Sequence, residues 1–191
     1  RSPLERNLYA VDYKGRHKRL LTPDKGFHTI APSAGMRYYI STFSSADDPG
    51  RVEICDARGR TVRTVADNAA LRRLADSIRL PRKEFFTFTT ERGDTLNAYI
   101  VKPRGFDPSQ RYPVLLTQYS GPGSQSVRDR WSLDWEDALA DKGYIVVCAD
   151  GRGTGFRGEK FKKLTYGRLG ALETEDQIST ARYMASQPWV D

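Results

Sequence analysis

Apolar residues along this chain follow three rhythms, and each predicts a different element. Residues 84–90 and 95–101 alternate apolar and polar positions around Arg92-Gly93-Asp94, which predicts a β-hairpin. Val114, Leu115 and Leu116 form a run too short for a helix. Bounded by Pro113 and by Gly121-Pro122-Gly123, this run predicts a buried strand over residues 112–118. Residues 144–149 predict a second buried strand. Helical spacing follows in two places. Residues 131–142 place Trp135, Ala138 and Leu139 on one face, with Ser132 as the cap and Gly143 as the stop. Residues 171–186 place Ala171, Thr174, Ile178, Ala181 and Ala185 together. A hairpin followed by strand, helix, strand and helix is an α/β layer architecture.

The first half of the chain has a different character. Residues 8–21 read as strand, tight turn, strand, and residues 52–65 repeat that reading. Asp-x-x-Gly-Arg-x-x-Arg begins at Asp12 and again at Asp56, a period of 44 residues. Asp accepts hydrogen bonds from the backbone just ahead of it, and Gly takes the left-handed position, so both copies encode the same turn. Tyr38-Tyr39-Ile40, leading to Phe43, predicts a further strand between them. A repeat of this length built from short strands suggests β-propeller blades, with a chance pair of hairpins in a β-sandwich as the alternative. Two blades do not close a ring, so the remainder is expected upstream of Arg1. Residues 68–79 switch to helical period, with Leu71, Leu74, Ala75 and Ile78 on one face, Asn68 as the cap and Pro81 beyond the end.

Composition narrows the classes. With 191 residues, the chain is long enough for one domain with a sizeable core or for two small ones. No apolar run is long enough to span a bilayer, and the first residues carry no apolar stretch that would make a signal peptide. The missing initiator Met suggests a piece of a longer chain. The net charge of +7 is uneven, since residues 1–83 hold 17 Lys/Arg against 9 Asp/Glu and the remainder is nearly balanced. The positive residues (Arg16, Lys18, Arg19, Arg58, Arg60, Arg63) sit at turns and on polar strand faces, with no continuous basic stripe. Nucleic acid is therefore not an expected partner. Cys55 and Cys148 stand alone, without the spacing of a zinc site or a disulfide scaffold, and no metal or cofactor is expected.

Two loops concentrate the candidate chemistry. Tyr119 follows the strand at 112–118, at the end where open α/β sheets gather ligands, with a phenol able to donate a hydrogen bond. Packing of the same ring against the sheet edge is the plainer alternative. Gly151, Gly153, Gly155 and Gly158 follow the strand at 144–149. They match neither Gly-x-Gly-x-x-Gly running into a helix nor a P-loop, so a close-packed loop is preferred over a phosphate cradle. His17 and His28 lie in the first half and read as a turn residue and a strand-edge residue.

In order and at this spacing, the stretches beginning at Tyr119-Ser-Gly-Pro-Gly, at Asp150-Gly-Arg-Gly-Thr-Gly and at Arg168-Leu-Gly-Ala-Leu-Glu173 resemble the prolyl oligopeptidase family, nearest to its dipeptidyl peptidase IV branch. The resemblance implies a β-rich N-terminal part of truncated propeller blades with a linker helix (1–83). An incomplete α/β-hydrolase sheet follows, the N-terminal part of the catalytic domain (84–191). It implies a serine exopeptidase that releases N-terminal dipeptides with penultimate Pro or Ala, and it assigns Tyr119 to the oxyanion hole. A tripeptidyl or acylaminoacyl peptidase, an esterase, and a non-catalytic propeller-type binding module remain alternatives. No Gly-x-Ser-x-Gly elbow occurs in the chain, and both histidines precede the position that the order Ser, Asp, His requires. The triad, and the glutamates that grip a substrate's amino group, are thus expected outside these residues, and the chain alone is expected to be inactive. The resemblance further implies peptide substrates, a periplasmic or cell-surface location, and a parent for which a homodimer is open.

Overall fold

A computed structural model describes residues 2–191; Arg1, within the predicted N-terminal part, lies outside the described residues. The chain divides into two compact units, residues 1–78 with 128–132, and residues 79–127 with 133–191.

The first unit holds a two-stranded ribbon, β1 (Tyr9–Ala10) with β2 (Arg19–Leu20), and a four-stranded antiparallel sheet. That sheet runs in the order β3 (Phe27–Pro32), β4 (Tyr38–Ser45), β5 (Asp48–Asp56), β6 (Thr61–Ala66). Both repeated turns form, and they form alike. Asp12 Oδ1 accepts from Lys14 and Arg16 N–H at 2.9 and 2.7 Å, and Asp56 Oδ1 accepts from Arg58 and Arg60 N–H at 2.9 and 3.0 Å. Gly15 (φ 77°) and Gly59 (φ 87°) occupy the left-handed corner in each. Tyr39, Ser41 and Phe43 alternate inward along β4 and are buried, with Cys55 buried on β5.

His28 lies on the edge strand β3 yet is buried, its Nδ1 3.1 Å from Ser41 Oγ and its ring against Phe43. Burial holds its pKa below the usual imidazole value. His17 is exposed in the first turn, 3.0 Å from Asp12 Oδ2.

Helix α1 (Ala69–Ser77) forms where its period predicts, but Asn68 does not cap it. Asn68 is left-handed (φ 52°) and its amide donates to Pro49 O, while Asp67 Oδ1 takes the Ala69 N–H at 2.9 Å. Residues 128–132 join this unit through the Asp129 carboxylate, which accepts the Ala46 N–H at 2.8 Å, and through the Asp129 N–H, which donates to Leu4 O.

The second unit is a mixed four-stranded sheet in the order β7 (Lys83–Thr89), β8 (Thr95–Val101), β10 (Ile145–Asp150), β9 (Val114–Thr117). Every neighbouring pair is antiparallel except β10 and β9, which run parallel. All six residues of β10 are buried, as a continuous apolar strand beneath covering elements requires. Ile100, Ile145, Val147 and Met184 form one core cluster, and Phe88, Leu96, Ala98 and Ala149 form another.

Three helices complete the unit: α2 (Trp135–Ala140), α3 (Glu159–Lys162) and α4 (Ala171–Ala185). Three expectations need correction here. Strand β9, expected to be buried, has no fully buried residue and leaves Leu115 exposed, because it lies at the edge of the sheet. Helix α2 begins four residues later than its periodicity predicts, because residues 128–132 are engaged elsewhere. Asp134 rather than Ser132 caps it, in a closed capping box with Asp137. Its buried residues are Glu136 and Ala140, whereas Trp135 is exposed. On α4 the apolar face named from the sequence is outside: Ile178 is exposed, and the buried positions are Asp176, Ser179, Thr180 and Met184. A polar face goes inward because each buried group has a partner, which removes the cost of desolvating it.

Candidate functional site

Strands β9 and β10 run parallel, so the loops leaving their carboxyl ends rise side by side. They are fastened to each other by backbone. Gly123 N–H donates to Gly153 O at 2.9 Å, and Gly155 N–H donates to Ser124 O at 2.7 Å. A third fastening comes from Asp150, buried at the tip of β10, whose carboxylate accepts the Ser126 and Val127 N–H groups at 2.8–3.1 Å. Two backbone donors on one carboxylate bind the loop after β9 to the strand beside it.

Three of the four glycines in the second loop are close-packed, whereas a Cβ on Gly158 would meet nothing within 4 Å. A Cβ on Gly151 would stand 2.9 Å from Asp176 Oδ2, one on Gly153 2.5 Å from Thr165 Oγ1, and one on Gly155 2.6 Å from Gly123 O. Arg152, buried in the same loop, directs its guanidinium to Asp176, Glu175 and Asp94. The hydrogen bond to Asp176 is the leading cause that raises the pKa of Arg152 above its already high value. Asp176 also accepts the Arg152 N–H at 2.6 Å. One helix α4 carboxylate thus fixes both the backbone and the side chain of the loop.

Tyr119 stands above this assembly, two residues past the end of β9, and it is 75% exposed. It does not pack into the interior. The chain turns sharply behind it: Ser120 is left-handed (φ 53°) and buried, with Gln177 Nε2 3.4 Å from its hydroxyl. Tyr119, Pro122, Leu169, Thr174, Gln177 and Ile178 line an open hollow of about 610 Å³. The phenol can donate a hydrogen bond to a group inside that hollow. The outward face of α4 forms one of its walls.

A separate buried group lies under the sheet. Tyr99 O–H donates to Glu136 at 2.7 Å, and Lys83 Nζ is 3.4 Å from the other Glu136 oxygen and above the Tyr99 ring. Burial raises the Tyr99 pKa and pushes the Cys148 thiol up to about 12. These groups tie strands β7 and β8 to helix α2.

Sequence reading singled out Tyr119 and passed over its supports. Asp150, Arg152 and Asp176 fall inside the recognised stretches, but nothing in their spacing says that they meet. Ser120 carries no signal for its left-handed backbone. Among the described residues, no group of three or more His, Cys, Asp or Glu could hold a metal ion.

On the far side of β9, Val190 forms an isolated parallel bridge with Tyr112, joined by Tyr112 N–H to Trp189 O and Asp191 N–H to Tyr112 O. The chain after α4 therefore returns to the free edge of β9, at the end remote from Tyr119.

The family model described as the prolyl oligopeptidase family matches residues 131–191, and that described as the dipeptidyl peptidase IV N-terminal region matches residues 1–50. Dipeptidyl-aminopeptidase B of Aspergillus niger is 37% identical over 100% of this chain and 22% of its own length. A "probable dipeptidyl peptidase 4" of Aspergillus flavus is 36% identical over 98% of this chain and 25% of its own. The crystal structure of Porphyromonas gingivalis dipeptidyl peptidase 4 superposes with a TM-score of 0.93 at 49% identity, covering 100% of this chain and 27% of that one. The chain thus spans about a quarter of the length of these relatives, and over that quarter it shares their fold. Two family models at opposite ends, relatives matched end to end, and a superposition over every residue agree, and the chain belongs to the dipeptidyl peptidase IV branch of the prolyl oligopeptidase family.

Proposed function

We propose that this chain is the junction segment of a serine exopeptidase that releases N-terminal dipeptides from peptides with Pro or Ala in the penultimate position. In this reading the first unit is the closing part of a β-propeller, and the second is the opening part of an α/β-hydrolase domain. Tyr119 supplies the oxyanion-hole hydroxyl. The carrying observation is the geometry at the two ends of β9. Val190 pairs in parallel with Tyr112 at one end, and Tyr119 stands exposed at the other. A strand that continued from Val190 along β9 would come level with Tyr119 after about seven residues, since paired parallel strands advance at the same rise. A nucleophile elbow at that strand's tip would deliver a serine beside the phenol.

The chemistry then assigns a task to the phenol. Attack of a serine on a peptide carbonyl places a full charge on the oxygen, and a hydroxyl already aimed there stabilises it without reorganisation. The loops below Tyr119, fastened by Asp150 and Asp176, keep that aim. The 191 residues hold no elbow serine and no histidine in the second unit, so the reading makes the isolated chain inactive. We further propose an extracytoplasmic location from the family resemblance alone.

The test is the full-length protein assayed with a Gly-Pro chromogenic amide. Release of Gly-Pro that disappears when a serine about seven residues past Val190 is changed to Ala supports the reading. An intact, folded full-length protein with no elbow serine at that distance, or with no dipeptide release, overturns it and favours a binding module.

A further inference from the structure

We propose that Gly121 is a positioning residue for the Tyr119 phenol, acting by leaving vacant the one place where a side chain would collide with its ring. The inference rests on the oxyanion reading of Tyr119 given above. A Cβ built on Gly121 would lie 2.4 Å from Tyr119 Cε1, 3.1 Å from Cδ1 and 3.2 Å from Cζ. The ring therefore lies directly over the Gly121 backbone, two residues along the chain.

Unlike Gly123 (φ 72°), Gly121 is not among the residues with positive φ, so no left-handed backbone demands glycine here. The ring supplies a reason for glycine that φ does not. Which partner would yield to an added methyl follows from what holds each of them. Gly121 O accepts both the N–H and the hydroxyl of Ser124, at 3.0 and 2.6 Å. Ser124 O in turn accepts the Gly155 N–H at 2.7 Å, and Gly123 N–H donates to Gly153 O. The loop is pinned on both sides, whereas Tyr119 is 75% exposed as a residue and its ring turns on its own side-chain torsions. The ring gives way. Ordinary contact between a Cβ and a ring carbon is about 3.5–4.0 Å, so the ring must retreat by at least about 1 Å. A displacement of that size is enough to spoil a donor whose useful range is only a few tenths of an ångström, and misplacements of about 1 Å can cost on the order of 10²-fold in rate.

The experiment is a double-mutant cycle in the full-length enzyme, using Gly121→Ala, Tyr119→Phe and the pair. The readouts are kcat and KM for a Gly-Pro amide and the thermal midpoint of each variant. Gly121→Ala is expected to lower kcat by about 10- to 100-fold with KM within about threefold and the midpoint unchanged. In the Tyr119→Phe background the same change is expected to cost less than about threefold, because there is no longer a hydroxyl to misplace. A Gly121→Ala enzyme with parental kcat, beside a Tyr119→Phe enzyme that is impaired, overturns the positioning role and leaves the oxyanion role standing. Parental kcat in Tyr119→Phe overturns the oxyanion role itself. Losses that multiply in the double variant, or a broadly destabilised Gly121→Ala, show that Gly121 serves the loop and also overturn the proposal.

Discussion

Asp176 holds Arg152 by the main chain and the side chain together: Oδ2 accepts the Arg152 N–H at 2.6 Å while Oδ1 accepts from Nε and Nη2 at 2.9 and 2.7 Å. Both residues are buried, one on helix α4 and the other in the loop after β10. A buried pair of this kind is costly to break from one side, because the surviving charge is left without compensation.

Asp176→Ala should accordingly destabilise the protein by about 3–5 kcal/mol, far more than loss of an exposed pair such as Lys162–Glu159. Chemical denaturation read by circular dichroism measures this directly. A cost below about 1 kcal/mol would mean that Glu175 and Asp94 suffice to hold the guanidinium.

Loss of the Tyr119 hydroxyl should act on turnover and spare binding. In the full-length enzyme, Tyr119→Phe is expected to lower kcat by about 10²–10³-fold with little change in KM, since the proposed oxyanion role engages the hydroxyl only in the transition state. Steady-state kinetics decide it. A rise in KM with unchanged kcat would reassign the phenol to ground-state binding.

The repeated turns offer a matched comparison. A Cβ on Gly15 would meet nothing within 4 Å, whereas one on Gly59 would lie 2.7 Å from Leu21 O. Gly15→Ala should cost about 1–2 kcal/mol for the left-handed backbone alone. Gly59→Ala should cost more by at least about 1 kcal/mol, because a backbone oxygen must also move. Equal thermal shifts would show that the second turn yields freely.

Alkaline pH should weaken the fold through its buried acids. Burial pushes Cys148 up from 9.0 to about 12 and Tyr39 up from 10.0 to about 12, and Tyr99 shifts in the same direction. The unfolded chain loses these protons first, so between about pH 9 and 12 the folded state binds more protons and stability falls as pH rises. Each such group contributes up to about 1.4 kcal/mol per pH unit. Below pH 9 the contribution is fully present. Denaturation midpoints from pH 8 to 11 should therefore decline with increasing steepness. Both cysteines are free and buried, so Ellman's reagent should find two thiols in denaturant and essentially none in the native protein at pH 8.

Much of the architecture could be read from one dimension, because local rules write it there. Period-two alternation marks β7 and β8, short apolar runs mark β9 and β10, and Asp-x-x-Gly marks the twin turns, each through interactions within a few residues. The place of Tyr119, two residues past a short apolar strand, was legible for the same reason, whereas the role proposed for it comes from the family resemblance. Contacts between segments decided the rest. Helix α4 turns its polar side inward because Asp176 finds Arg152, 24 residues away, and α2 starts late because residues 128–132 bond to Ala46 and Leu4. Periodicity registers how apolar a face is and carries no information about which buried polar group has a partner. Likewise, Gly121 reads as one more loop glycine until the fold lays an aromatic ring across it.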